Sequence, residues 1–167
     1  MDGHRTSIRL RIDWSDPDAF GHVNNLAILR YAQSARVHYL ETVGMMQAHA
    51  EAGLGPVLAS TSCQFRKQLY YPGEVTVRTT VDQLKNTSFH MRHRVLDGAG
   101  ELVAEMHDVL VMFDYRSNTK RTIPQAFRER MAAGEPLAVG GVQLADGHGG
   151  SLGGNRRWGS RCRGIRA

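Results

Sequence analysis

The residues best suited to chemistry sit together in "WSDPDAFGHVNN", residues 14–25, which holds Asp16, Asp18, His22, Asn24 and Asn25. A carboxylate serves as a general base or as a nucleophile. The first turn of a helix leaves backbone N–H groups without partners, and its dipole adds positive potential, so it stabilises an oxyanion. An ionised Asp one turn ahead of such a helix start is equipped to act on a carbonyl carbon. The same stretch also reads as plain architecture. Asp16-Pro17-Asp18 forms a turn, Gly21 takes a positive φ, and Asn24 or Asn25 caps the helix. A turn and a cap need one Asp and one Asn, however, and here there are two of each with a histidine besides.

The flanking elements must hold this segment in place. "SIRLRIDW" alternates strictly, with Ile8, Leu10, Ile12 and Trp14 on one face and Arg9, Arg11 and Asp13 on the other. That is the pattern of a half-buried strand. From Leu26 the period changes: Ile28, Leu29, Ala32, Ala35, Tyr39, Leu40 and Val43 recur at three- and four-residue steps, and Gly44 suits a C-cap. Ala32 and Ala35 on this stripe let a sheet approach closely. "MMQAHAEAG" predicts a short second helix. Strand-like runs follow at about 56–68, 75–84, 88–96 and 101–115, punctuated by "YPGE" at 71–74 and by a hairpin loop at 96–101. "PQAFRERMAA" closes with proline near a helix start. One strand, one long helix and four more strands predict an α+β architecture. Its sheet, antiparallel with five strands or slightly more, wraps around one central helix.

Composition narrows the function. The chain is 41% hydrophobic and 22% charged, ordinary for a globular protein, and no run approaches a membrane span. The N-terminus is too polar for a signal peptide, so a cytoplasmic location is expected, with Cys63 and Cys162 reduced. The formal charge of +5 is uneven, because five arginines against Asp146 supply +4 of it in residues 137–167. That Gly/Arg-rich segment is expected to be a flexible tail to a single domain at 1–136. The nearly neutral domain argues against nucleic acid as a partner. No zinc spacing occurs, and His90 and His93 lie three apart in a strand, on opposite faces, so no metal is expected. Cys63 has no nucleophile signature, and Ser62 and Ser88 belong to no G-x-S-x-G elbow. No nucleotide-binding glycine motif is present, and no cofactor is expected.

With these residues in view, "DPDAFGHVNN" followed by "RY…SAR" resembles the opening motif of the hot-dog-fold acyl-CoA thioesterases of the 4-hydroxybenzoyl-CoA thioesterase type. "YYPGEVTVRTTV", "KNTSFHMRHRV", "GELVAEMHDVLVMFD" and "RTIP" are similar to later segments of that family, so the likeness covers about residues 7–132. The resemblance implies the hot-dog fold and hydrolysis of an acyl-CoA thioester to acid and coenzyme A. It maps the catalytic carboxylate onto Asp18 and the carbonyl-polarising N–H onto Asn25. His22 is carried as a third candidate, either orienting substrate or water, donating to Asp18, or packing the turn. The implied substrate-binding set is Gly21, Asn24, Lys85, Thr87 and Ser88, with Asp16 in a structural hydrogen bond. Two departures stand out: the basic run expected before the Ser-Phe strand is only Lys85-Asn86-Thr87, and Gln33 stands where many relatives carry glutamate. Arg66, Lys67, Arg92 and Arg94 are the candidates to compensate in holding the coenzyme A phosphates, unless they are ordinary solubilising charges of exposed strand faces. Family members pair as dimers with the sites at the interface, often further assembled as tetramers. A hot-dog hydratase or dehydratase and a non-catalytic acyl-CoA sensor are the alternatives.

Overall fold

The computed structural model describes residues 6–133. The remainder of the predicted domain (1–5 and 134–136) and the Gly/Arg-rich tail at 137–167 lie outside the described residues. The elements in chain order are β1 (Thr6–Arg11), α1 (Asn25–Thr42), α2 (Met45–Ala52), β2 (Leu54–Phe65), β3 (Glu74–Leu84), β4 (Ser88–Leu96), β5 (Leu102–Asp114), β6 (Thr119–Lys120) and α3 (Gln125–Ala133). They form a six-stranded antiparallel sheet in the order β1-β3-β4-β5-β2, with the two-residue β6 also on β5. This is the expected α+β hot-dog architecture, with one added short strand.

The order is not a simple meander. β2 crosses to the far edge and pairs with β5, whereas β3 returns to pair with β1. β1 is shorter than its alternation suggested. It stops at Arg11, Ile12 is buried, and Trp14 is 77% exposed in the turn that follows. Trp14 therefore does not share the buried face of Ile8 and Leu10. The Asp13 carboxylate accepts from the N–H and hydroxyl of Ser15, and the Asp16 carboxylate accepts from the Asp13 N–H. These short-range bonds curl the chain out of the sheet before Trp14.

The sheet curves over α1, whose buried stripe includes Ala27, Ile28, Tyr31, Ala32, Ala35, Tyr39 and Leu40. Ala32 and Ala35 are essentially inaccessible to solvent, as expected of small residues at a close helix–sheet approach. Along the helix the core divides in two. Near its start, Val23, Ala27, Ile28 and Tyr31 pack with Val75, Val77, Val95 and Ala104. Near its end, Tyr39, Leu40 and Val43 pack with Phe89, Met91, Leu110, Met112 and the α3 residues Phe127 and Met131.

Between the two clusters lies a buried polar chain. Arg36 of α1 donates to Asp108 Oδ2 at 2.5 Å, His93 Nε2 lies 3.2 Å from the same oxygen, and His93 Nδ1 lies 2.8 Å from the Thr79 hydroxyl. Thr79, His93 and Asp108 are fully buried. This chain ties the middle of α1 to β3, β4 and β5, and so fixes where the helix start points.

Candidate active site

The segment between β1 and α1 is held by backbone bonds at both ends. The Asp18 N–H donates to the His22 carbonyl at 2.9 Å, and the Gly21 N–H donates to the Asp18 carbonyl at 3.0 Å. Gly21 takes φ +85°, a conformation that costs a side-chain-bearing residue free energy. The Val23 N–H donates to the Leu69 carbonyl, and the Asn24 N–H to the Asp16 carbonyl. Underneath, the buried Asp16 carboxylate accepts from the Tyr31 hydroxyl and the Arg30 guanidinium. The structural role expected for Asp16 is therefore what its contacts describe. Burial of Tyr31, followed by its bond to the Asp16 carboxylate, pushes the phenol well above its usual range. Tyr31 remains a neutral donor.

Asn24 is the N-cap: its side chain accepts from the Leu26 N–H at 2.8 Å, and its carbonyl from the Ala27 and Ile28 N–H groups. That arrangement leaves the Asn25 N–H without an acceptor among the described residues. Asp18 Oδ1 accepts from the Phe20 N–H at 2.8 Å, and Oδ2 has no hydrogen-bond partner among the described residues. His22 Nδ1 lies 3.6 Å from Asp18 Oδ1, beyond a hydrogen bond. The imidazole stacks on Phe20 at 6.4 Å and meets Tyr70 edge-on at 6.2 Å. Packing thus sets its orientation.

Asp18, His22 and Asn25 line one cavity of about 370 Å³. Val23, Ile28, Phe65 and Leu69 supply its apolar walls, and Arg66, Lys67 and Gln68 its polar ones. A residue with a free carboxylate oxygen and a residue with a free helix-start N–H therefore line the same partly apolar space. Gly21 and Asn24 shape the loop around it. Lys85, Thr87 and Ser88 do not join them within one chain. They form the β3–β4 hairpin, where Ser88 is in register with Val111, next to the cluster at the far end of α1. Of the four compensating cations the sequence offers, Arg66 and Lys67 line this cavity with Asp18 and Arg92 and Arg94 do not, and only the fold brings the segment 65–69 to it. Cys63 is a poor thiolate, because burial and then the Asp108 charge push its thiol up. Among the described residues no group of three or more His, Cys, Asp or Glu side chains converges as a metal site, and no helix is long and apolar enough to cross a membrane.

The family model of the Thioesterase-like superfamily matches residues 12–131. The chain belongs to that superfamily. A thioesterase from Thermus thermophilus, solved with coenzyme A and zinc, superposes with a TM-score of 0.71 at 28% identity, covering 81% of this chain and 97% of that one. A gentisyl-coenzyme A thioesterase superposes at 0.68 with 24% identity, covering 75% and 99%, and supports the fold. Among curated sequences, a provisionally named esterase of Aquifex aeolicus (strain VF5) is 28% identical over 82 residues, 48% of this chain. A Bacillus subtilis (strain 168) protein is 25% identical over 92 residues. The matched regions span 64% and 61% of those two proteins' lengths.

Proposed function

We propose that this protein is an acyl-CoA thioesterase whose chemistry is carried by Asp18 and the Asn25 N–H. The observation that supports this reading most directly is the shared cavity, lined by Asp18, which has an unengaged carboxylate oxygen, and by Asn25, which has an unengaged helix-start N–H. The thioester carbonyl oxygen rests near the Asn25 N–H, at the positive end of the helix dipole. In one route Asp18 takes a proton from water, and the resulting hydroxide adds to the carbonyl carbon. In the other Asp18 adds directly and forms a mixed anhydride that water then opens. Either way the negative charge that develops on the carbonyl oxygen is held by the helix start, and it collapses as the C–S bond breaks. The thiolate leaves with little help, since its conjugate acid has a pKa of only ~8.5. A site with so few groups suits a thioester better than an amide or an ester.

The assembly we propose is a homodimer, or a tetramer built from two dimers, with the acyl-CoA site completed across the interface. Among the described residues no strand pairs with the outer edge of β2, and Val57, Leu58 and Phe65 on it are 37%, 40% and 50% exposed. An uncovered apolar edge invites pairing with a second strand. Two-fold antiparallel pairing of β2 with its copy sets the Phe65 end of one strand beside the Leu54 end of the other. That is the end of the sheet carrying Thr87 and Ser88. The partner's hairpin, including Lys85, then approaches the cavity of this chain, which accounts for a substrate-binding set divided within one subunit.

Thiol release from a panel of acyl-CoAs, compared for native protein and Asp18→Asn, tests the function. The expected loss is at least ~10²–10³ in kcat, and an Asp18→Asn variant as fast as native protein would refute the mechanism. Label in the Asp18 carboxylate after a single turnover in H₂¹⁸O identifies the anhydride route with water adding at the Asp18 carbonyl. The general-base route puts the label in the product acid alone.

A further inference from the structure

We infer that Arg66 is an anion-binding residue of the substrate site, recognising a phosphate or carboxylate that the thioester substrate carries. The inference rests on the thioesterase reading above, and it is carried by the charge pairing in the cavity wall. Two cations line the cavity opposite Asp18, Arg66 and Lys67. They are not equivalent. The Lys67 ammonium donates to Asp97 at 2.6 Å and also to Glu101, so its charge is already compensated. Arg66 donates one N–H to the neutral amide oxygen of Gln64, and no acid lies within ion-pair distance of it among the described residues.

The root of the side chain is fixed while its head is exposed. The N–H groups of Arg66 and Lys67 both donate to the Val103 carbonyl, at 2.8 and 3.2 Å, anchoring the chain just past the end of β2. Gln64 holds one edge of the guanidinium and leaves its other donors open. A planar fork with spare N–H groups suits the paired oxygens of a phosphate or a carboxylate. The need for such a contact is greater here because the hairpin at 85–87 provides only one cation. Acyl-CoA offers two sources of the same chemistry: the phosphates of the coenzyme, or a carboxylate at the far end of a dicarboxylic acyl group.

Steady-state kinetics on four thioesters distinguishes these sources: a neutral acyl group and an ω-carboxylated one, each on coenzyme A and on phosphate-free pantetheine. Arg66→Gln is expected to raise KM by ~10–100-fold for thioesters bearing the recognised anion, with little change for those lacking it, as befits a charge-assisted contact. Arg66→Lys keeps the charge without the fork and should recover part of the loss. An effect that follows coenzyme A identifies a phosphate, and one that follows the acyl carboxylate identifies that group. A KM changed equally for all four substrates, or for none, overturns the inference and leaves the thioesterase reading standing. Native protein that releases thiol from none of the four overturns both.

Discussion

Removal of the Arg36 guanidinium is expected to strand a buried carboxylate. Asp108 is fully buried and the Arg36 side chain is 15% exposed, so the pair lies in the helix–sheet interface with only its cationic end near water. Burial acts to raise the Asp108 carboxyl, but bonds from His93, Thr61 and Arg36 outweigh it and bring it down from 3.8 to about 2. A depression of that size corresponds to about 2 kcal/mol of stability. Because the folded value is the lower one, this stability is present above pH ~4 and is lost as the pH falls through about 2. Arg36→Met removes the guanidinium that pairs with this carboxylate, and breaking a buried pair in this way costs about 3–5 kcal/mol. Protonation of Asp108 sets a ceiling, since from a folded value of about 2 and at ~1.4 kcal/mol per pH unit it costs about 7 kcal/mol at pH 7 but only about 1.4 at pH 3. Urea unfolding of Arg36→Met should therefore show a loss of about 3 kcal/mol at pH 7 and a clearly smaller loss at pH 3. Asp108→Asn should cost less, because Arg36 is close enough to the surface to turn toward water. Arg36→Met with Asp108→Met should recover most of the single-variant loss, as apolar replacement of a buried pair often does. A loss below about 1 kcal/mol at pH 7, or one that does not shrink at pH 3, would refute the reasoning.

Other outcomes are expected at the site and at the sheet edge. Asn24→Ala removes the N-cap and should cost about 1 kcal/mol in denaturant unfolding, together with a drop in kcat as the helix start frays around the Asn25 N–H. Gly21→Ala meets no steric neighbour but must adopt φ +85°. It should cost about 1 kcal/mol, and kcat should fall more than KM rises if the loop aims Asp18. Tyr31→Phe leaves Asp16 with the Arg30 and Asp13 contacts only, and a Tm drop equivalent to about 1–2 kcal/mol is expected. Leu58→Lys on the β2 edge should shift the mass measured by light scattering toward the monomer and abolish turnover with it. A variant that stays assembled and active would refute a dimer across that edge.

The sequence alone determined the periodic elements and the polar segment between them. Period-two alternation in β3, β4 and β5 and the three-to-four spacing of α1 follow from local side-chain geometry, and so do the Asn24 cap and the turn at Asp18. Asp18, His22 and Asn25 were legible for the same reason, since they are close in the chain. Asp108 and His93 carried a signal as well: each sits in phase with apolar neighbours, Met106 and Leu110 for one, Met91 and Val95 for the other. That phase is the one an inward-facing position has, and the burial of both side chains agrees with it. It did not name Arg36 as the partner, because the contact spans 72 residues and depends on which strand lies under which turn of the helix. The end of β1 before Trp14, the crossover that puts β2 on the far edge, and the wall at residues 65–69 opposite Asp18 were likewise decided only by tertiary structure. Pairing between distant segments is selected by the packing of the whole core, and no local pattern encodes it.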